Sequence, residues 1–488
     1  MNDALALGVT ELAAAVRAGE LSALAVTRAY LARIERFDSK VGAYLLVDHD
    51  GALRRAEEID QARMRGESLG PLAGVPIGIK DNLCTRGLRT TCASRILEGY
   101  VPPYDAEVVS RLRAASAVIV GKLNMDEFAM GSSTESSAFQ RTHNPWNLEH
   151  TPGGSSGGAA AATAARLAAA ALGSDTGGSV RQPASYCGIT AIKPTYGRVS
   201  RRGLVAYASS LDQVGPIARS TRDAARLLGV IAGHDPGDAT CSEQPVDDYE
   251  AECGQDVRGL RVGVVRSALR ACDADVAAAI ERALEQLRGL GCELLDVELP
   301  HAEHAVAVYY LVAPAEASSN LSRFDGMRYG LRVRGLPLRE TYTKTRQQGF
   351  GLEVKRRIML GTYALSAGYY DAFYLKASKV RTLIRRDFEQ AFERCDLLVV
   401  PTAPSPAFKL GAVTDPLSMY KLDIFTLPPS LAGVPAINTP IGLSSSGLPI
   451  GMQLVGPHFA EARLVRAAHA LEQVSGAKAL PLLPGETP

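Results

Sequence analysis

The chain has 488 residues, enough for a large buried core, with 46% hydrophobic and 22% charged residues, as in ordinary globular proteins. Its 53 basic and 52 acidic residues leave a formal net charge of +1, which argues against an autonomous nucleic-acid-binding domain. The eight cysteines form no CxxC pair and lie at no zinc-finger spacing, so we expect reduced thiols in a cytosolic setting and no metal site. We find no secretory signal at the start and no apolar run long enough to span a bilayer, which favours a cytoplasmic protein.

The first part of the chain predicts helices followed by short buried strands. Residues 10–37 carry two helical patterns, and Ser22 is placed to cap the second helix. The segment GVPIGIK (74–80) alternates apolar residues and predicts a strand that ends at Lys80. A helical stretch then leads into a second buried strand at 116–124.

The middle and later parts predict a mixed sheet between helical layers, which is an α/β fold. A strand of small residues is expected at 167–174, and the segment 259–299 reads as a strand, a helix and a second strand, so part of the sheet is parallel. Another buried strand is expected at 395–401. The acidic, turn-rich stretch 232–256 is either a surface excursion or a boundary between lobes.

Two clusters of glycine and hydroxyl residues are the most informative local features, TPGGSSGG at 151–158 and SDTGGS at 174–179. Such runs are often flexible linkers, but these are short and lie between structured segments. Adjacent glycines let backbone N–H groups converge on one point, as an oxyanion requires. We therefore interpret the second cluster as an oxyanion hole that leads into a nucleophilic Ser179, and we expect the first cluster to open a helix.

Residues 153–157 also match the G-x-S-x-G pattern of α/β-hydrolases. That motif requires a preceding strand, and residues 144–152 do not read as one. It also requires a late histidine, and the plausible amphipathic helix around His469 gives that residue a more ordinary role. The α/β-hydrolase interpretation is therefore disfavoured.

Lys80 is the candidate base, because the histidines are poorly placed. Burial disfavours a charged ammonium, and a neutral lysine can accept a proton from a serine. The alternative is an ordinary ion pair between Lys80 and the neighbouring Asp81 at the end of the strand.

Three segments together, GVPIGIKDN, PGGSSGGAAAA and GSDTGGSVRQPASYCG, resemble the amidase signature family. The resemblance implies a single amidase domain over 1–488, with a helical segment at about 1–65 and the signature core at about 70–220. It also implies a Ser–cisSer–Lys triad in which Ser179 is the nucleophile, Ser155 is the bridging serine and Lys80 is the terminal base. The backbone amides of 176–178 would form the oxyanion hole, which comprises Thr176, Gly177 and Gly178.

Within that family, segments 121–135, 309–330, 350–377 and 415–437 resemble the A subunits of bacterial tRNA-dependent amidotransferases, which hydrolyse glutamine. This resemblance implies that glutamine is bound by Tyr309, Arg357 and Asp423. Arg357 would hold the α-carboxylate and Asp423 the α-ammonium. Without the resemblance, the KRR run that contains Arg357 could equally be a solvated face of a helix.

The same resemblance implies a complex with B and C subunits that converts misacylated Glu-tRNA(Gln) or Asp-tRNA(Asn). The chain lacks a Walker A motif, so ATP and Mg are expected at a partner subunit, and no cofactor is expected in this chain. The alternatives are a free-standing amidase for other amides and a catalytically idle scaffold protein within a complex.

Overall fold

The computed structural model describes residues 3–476 and 479–486. Its helices are α1 Asp3–Ala6, α2 Val9–Ala18, α3 Ala23–Val41, α4 His49–Met64, α5 Glu107–Ala114, α6 Gly157–Ala164, α7 Arg181–Cys187, α8 Thr221–Ile231, α9 Arg266–Leu269, α10 Ala274–Gly289, α11 Ala305–Asn320, α12 Leu338–Gly349, α13 Leu352–Ala364, α14 Lys376–Arg394, α15 Pro416–Lys421, α16 Leu427–Ala432 and α17 Glu461–Ser475. Its strands are β1 Tyr44–Val47, β2 Pro76–Lys80, β3 Val118–Leu123, β4 Ala170–Asp175, β5 Thr190–Lys193, β6 Gln213–Ala218, β7 Arg261–Val264, β8 Glu293–Asp296, β9 Leu397–Pro401, β10 Ala436–Leu443 and β11 Pro449–Val455.

The elements predicted in the first part of the chain are confirmed. Helices α2 and α3 occupy the predicted pair, and the Ser22 side chain caps α3 by accepting a hydrogen bond from the Ala25 backbone N–H. Strand β2 ends at Lys80, and the glycine cluster at 151–158 opens α6, whose residues are all buried. The small side chains of α6 allow it to pack closely on the sheet.

In the described part of the chain, eleven strands form one mixed sheet in the order β1-β3-β2-β4-β6-β5-β10-β11-β9-β7-β8. Strand β2 runs parallel to both β3 and β4, and β7 runs parallel to both β8 and β9. The predicted strand–helix–strand unit at 259–299 is therefore confirmed, with α10 connecting the parallel strands β7 and β8.

Helices cover both faces of this sheet. Along β9, Leu397 and Val399 belong to one hydrophobic core while Leu398 and Val400 belong to a second, as alternation along a strand requires. The first core includes residues of α2, α3, α6 and α17, and the second includes residues of α11, α13, α14 and α16. No helix in the described ranges is long and apolar enough to cross a membrane.

The parallel pairing of β2 with β4 determines where the two predicted chemical groups meet. Ile77 and Ile79 of β2 lie opposite Ala170 and Leu172 of β4, so both strands end at the same edge of the sheet. Lys80 ends β2, and the glycine loop that follows β4 begins at that same edge.

Candidate active site

Lys80 lies at the centre of a cluster of serine hydroxyls. Its Nζ donates hydrogen bonds to the Oγ atoms of Ser155 and Ser156, each at 2.8 Å, and to Ser174 Oγ at 3.0 Å. The alternative partner Asp81 is instead paired with Lys122, whose Nζ lies 3.2 Å from Asp81 Oδ1. The ordinary ion pair of Lys80 with Asp81 is therefore not formed.

The environment of Lys80 favours a neutral amine. The side chain is completely buried, and burial lowers its pKa to about 7, against the opposing effect of Asp126, Asp175 and Asp212. An amine with this pKa is substantially unprotonated near neutral pH and can accept a proton. The cluster thus contains a candidate base that is not a histidine.

Ser155 is held beside Lys80 by an unusual backbone. The peptide bond between Gly154 and Ser155 is cis, which is the geometry that the resemblance implies for the bridging serine. The Gly154 N–H donates to Gln182 Oε1 at 2.9 Å, and the Asp126 N–H donates to the Ser155 carbonyl at 3.2 Å. These buried partners fix the segment on both sides of the cis bond.

Ser179 lies in the loop between β4 and α7. Its backbone carbonyl accepts a hydrogen bond from the Ser156 N–H at 3.1 Å, so its backbone lies against the residue that follows Ser155. Lys80 and Ser155 are 0% exposed, whereas Ser179 is 8% exposed, and its hydroxyl makes no hydrogen bond within the described ranges. The predicted nucleophile is thus the member of the triad that an incoming substrate reaches first.

A buried ion pair stabilises the loop that carries Ser179. Arg181 donates from Nε and Nη2 to the two carboxylate oxygens of Asp175, at 2.9 and 3.0 Å. The same carboxylate accepts from the Val180 N–H at 3.2 Å. Because Asp175 ends β4 and Arg181 begins α7, the pair closes the loop across its two ends.

The residues predicted for the oxyanion hole are held from outside the loop. The Thr176 hydroxyl donates to Asp212 Oδ1 at 2.7 Å, and the Thr426 hydroxyl donates to the Gly177 carbonyl at 2.6 Å. Gly178 has a φ of 145°, a conformation that side-chain-bearing residues rarely adopt. The loop therefore needs glycine at this position, as the sequence pattern suggested.

Two of the three predicted glutamine-binding residues, Tyr309 and Asp423, are connected to the same loop, and the third, Arg357, is buried. The Tyr309 ring, on α11, lies so close to Gly177 that a Cβ there would stand 2.8 Å from the ring. Asp423 is linked to the loop through Thr426, whose backbone N–H donates to the Asp423 carbonyl at 3.0 Å. Arg357, on α13, is only 3% exposed, so the KRR run is not merely a solvated helix face.

Arg357 and Asp423 each retain an unused binding atom. The Arg357 guanidinium donates from Nε to Glu353 and from Nη1 to the Tyr207 hydroxyl, each at 2.8 Å, while Nη2 makes no hydrogen bond within the described residues. Asp423 Oδ2 accepts from the Ser132 hydroxyl, and Oδ1 is buried without a hydrogen-bond partner in the described part of the chain. Burial raises the pKa of Asp423 to about 7. A buried, unpaired carboxylate oxygen is costly unless a ligand satisfies it.

Sequence reasoning missed several residues of this site. Ser156 and Ser174 share the Lys80 amine, and both lie in the two glycine clusters that the sequence singled out. Glu353 lies four residues before the arginine on α13, which is the spacing of facing residues on a helix and was a usable signal. Ser132 contacts Asp423 across 291 residues, and no local pattern indicates that contact.

Comparison with known proteins identifies the family of this chain. A model of the amidase family matches residues 25–465. The chain therefore belongs to the amidase family, and its predicted α/β architecture of a mixed sheet between helical layers is confirmed.

Individual known proteins resemble this chain over nearly its whole length. The chain is 60% identical over 465 residues to the A subunit of the glutamyl-tRNA(Gln) amidotransferase of Moorella thermoacetica, with 95% of each chain covered. The crystal structure of the same-named protein from Thermotoga maritima is 43% identical, with a TM-score of 0.83 and 99% of each chain covered. The native peptide amidase from Stenotrophomonas maltophilia is 33% identical, with a TM-score of 0.84 and 98% of each chain covered.

Proposed function

We propose that this chain is the glutamine-hydrolysing subunit of a tRNA-dependent amidotransferase. The observation that carries the proposal is the pairing of two features at one edge of the sheet. A buried lysine bonded to a cis-peptide serine lies beside the Ser179 loop, and among the described residues Nη2 of Arg357 and Oδ1 of Asp423 have no protein partner. Its relatives named as amidotransferase A subunits support the choice of glutamine as substrate.

Glutamine carries three groups that this site can meet. Arg357 Nη2 would bind the α-carboxylate, and Asp423 Oδ1 would accept a hydrogen bond from the α-ammonium. The Tyr309 ring packs beside the glycine loop and would guide the side-chain amide towards Ser179. A substrate held at both charged groups brings its reacting carbon to a defined position.

The chemistry is acyl transfer through a serine ester. Ser179 Oγ attacks the side-chain carbonyl carbon and passes its proton to Ser155, which passes its own proton to Lys80. The backbone N–H groups of 176–178 stabilise the oxyanion. When the carbon–nitrogen bond breaks, the relay returns a proton to the departing nitrogen and ammonia leaves. Water then cleaves the glutamyl ester, which releases glutamate and restores Ser179.

The ammonia would be used by other subunits of the same enzyme. We assign ATP and Mg, with most of the contact to misacylated Glu-tRNA(Gln) or Asp-tRNA(Asn), to the B and C subunits of a cytoplasmic heterotrimer. The near-neutral charge and the absence of a Walker A motif in this chain support that division of labour.

The test is Ser179→Ala in the assembled amidotransferase, with both misacylated tRNAs as acceptors. We expect glutamine-dependent amidation to fall by about 10⁴-fold or more, while amidation from free ammonium is unchanged. Ser110→Ala, an exposed serine on α5, is the matched control and should change neither reaction. Loss of both reactions, or of neither, would contradict the proposal.

A free-standing amidase is the second candidate, favoured by the structural similarity to a peptide amidase. Rapid hydrolysis of unrelated amides by the purified chain alone, with no response to partner subunits, would favour it over the amidotransferase assignment.

A further inference from the structure

Arg357 is enclosed by aromatic rings and by one carboxylate. Its guanidinium carbon lies 5.1 Å from the centre of the Tyr310 ring and 5.4 Å from that of Tyr420, and these two rings stack with centres 3.6 Å apart. The Tyr420 hydroxyl donates to Glu353 Oε1 at 2.9 Å, and that oxygen also accepts from Arg357 Nε. We call Glu353, Tyr207, Tyr310 and Tyr420 the arginine cage.

The cage fixes the direction in which the guanidinium points. A planar guanidinium bound at Nε and Nη1 to groups on different elements cannot rotate in its plane without breaking a hydrogen bond. The cage occupies those two positions and leaves Nη2 without a protein partner among the described residues. The two N–H groups of Nη2 therefore point in fixed directions.

The carboxylate of Asp423 indicates the function of the arginine cage. Asp423 has a buried oxygen without a partner, and Arg357 is close enough to influence its ionisation, yet the two form no ion pair in the described part of the chain. An arginine that was free to turn could instead pair with a buried carboxylate. With Nε bonded to Glu353 and Nη1 to Tyr207, the Nη2 group of Arg357 remains available to a substrate carboxylate, and Oδ1 of Asp423 remains available to a substrate ammonium.

We propose that Glu353, through the arginine cage, is a positioning residue that makes the enzyme select amides bearing an α-carboxylate; the inference rests on the glutamine-hydrolysing function proposed above. Glu353 and Arg357 also have the i, i+4 spacing of a common helix pair, which is weak when exposed. Here Arg357 is buried, so the pair determines the orientation of a group inside the site.

The test compares Glu353→Gln and Tyr420→Phe with wild type in the assembled enzyme, by ammonia release from glutamine. Glu353→Gln keeps the size of the side chain and removes its charge. We expect KM for glutamine to rise by about tenfold or more, as for a lost charge-assisted hydrogen bond, with kcat within about threefold. Tyr420→Phe, which keeps the ring and removes one hydrogen bond to Glu353, should raise KM by about threefold. Glu340→Gln, an exposed glutamate on α12, is the matched control and should leave both parameters unchanged.

Two amides that compete with glutamine separate positioning from general damage to the fold, and their inhibition is followed by glutamate release because both can themselves release ammonia. Glutaramate keeps the carboxylate of glutamine and lacks its ammonium, whereas 4-aminobutanamide keeps the ammonium and lacks the carboxylate. In Glu353→Gln, the inhibition constant of glutaramate should rise by about tenfold while that of 4-aminobutanamide stays within about twofold of wild type.

The outcomes distinguish this inference from the function on which it rests. A wild-type enzyme that releases no ammonia from glutamine would refute the proposed function and the inference with it. An active wild type whose Glu353→Gln variant keeps its KM, or weakens both inhibitors equally, would refute the inference alone. If Glu353→Gln does not fold, Tyr420→Phe decides the question. An unchanged inhibition constant of glutaramate in Tyr420→Phe would refute the inference, and a rise for glutaramate but not for 4-aminobutanamide would support it.

Discussion

The buried amine of Lys80 predicts how the hydrolysis rate depends on pH. Only the neutral amine can accept the proton that leaves Ser179, and burial brings the pKa of Lys80 to about 7. About half of the enzyme is then active at pH 7, about 90% at pH 8 and about 10% at pH 6. The kcat for glutamine hydrolysis should therefore fall by about fivefold from pH 7 to pH 6, approach a tenfold fall per pH unit below that, and level off above pH 8.

The assay is ammonia release at saturating glutamine in the assembled enzyme, from about pH 6 to about pH 9. Saturation matters because the pKa of Asp423 is also raised to about 7, and protonation of that carboxylate weakens glutamine binding. The effect of Asp423 therefore appears in kcat/KM, which should fall more steeply with acid than kcat does.

Lys193 provides the matched control. It is also fully buried, and burial also lowers its pKa to about 7, but its Nζ bonds to the Pro194 carbonyl rather than to a serine of the site. Lys193→Met should keep the acid limb of the kcat profile in place. A wild-type kcat that is flat across this range, or a limb that disappears in Lys193→Met, would refute the assignment of Lys80 as base.

Two further predictions concern the glycine loop. Gly178→Ala should lower kcat by about 10²-fold or more, because its Cβ would meet the Thr426 side chain in a strained backbone conformation and displace the oxyanion donors. Gly229→Ala on α8, where nothing lies within 4 Å of the added Cβ, should leave ammonia release unchanged, and equal effects of the two changes would contradict this account. Asp175→Asn should lower the free energy of unfolding by about 3–5 kcal/mol, because it leaves the buried Arg181 uncompensated. Denaturant unfolding measures this loss, and a change below about 1 kcal/mol would show that the pair does not stabilise the loop.

The sequence predicted those parts of the molecule that depend on local pattern. Apolar alternation predicted the strand that ends at Lys80, and two adjacent glycines predicted a loop with backbone donors before Ser179. The Ser22 cap follows from the same kind of local chemistry. The roles of the triad, the oxyanion donors and the glutamine-binding residues came from the family resemblance, and they stay predictions until the variants are measured.

The rest of the site depends on contacts that no local pattern reveals. Tyr207 reaches Arg357 across 150 residues, and Ser132 reaches Asp423 across 291. These contacts form only when the helices of the second hydrophobic core pack against the sheet. They therefore depend on the whole fold. The ionisation of Lys80 has the same origin, because its pKa depends on how completely the surrounding chain excludes water.

In the proposed assignment of roles, the two-layer construction separates bond cleavage from substrate choice. The sheet and the loops that lead from it carry Lys80, Ser155 and Ser179. Helices α11 and α13, which contribute to the second hydrophobic core, carry Tyr309 and Arg357. Substitutions in those helices can change which amide binds, while the residues proposed to cleave the amide bond stay the same. With this arrangement, natural or engineered substitutions can change the residues proposed to bind the substrate without changing the residues proposed to cleave it.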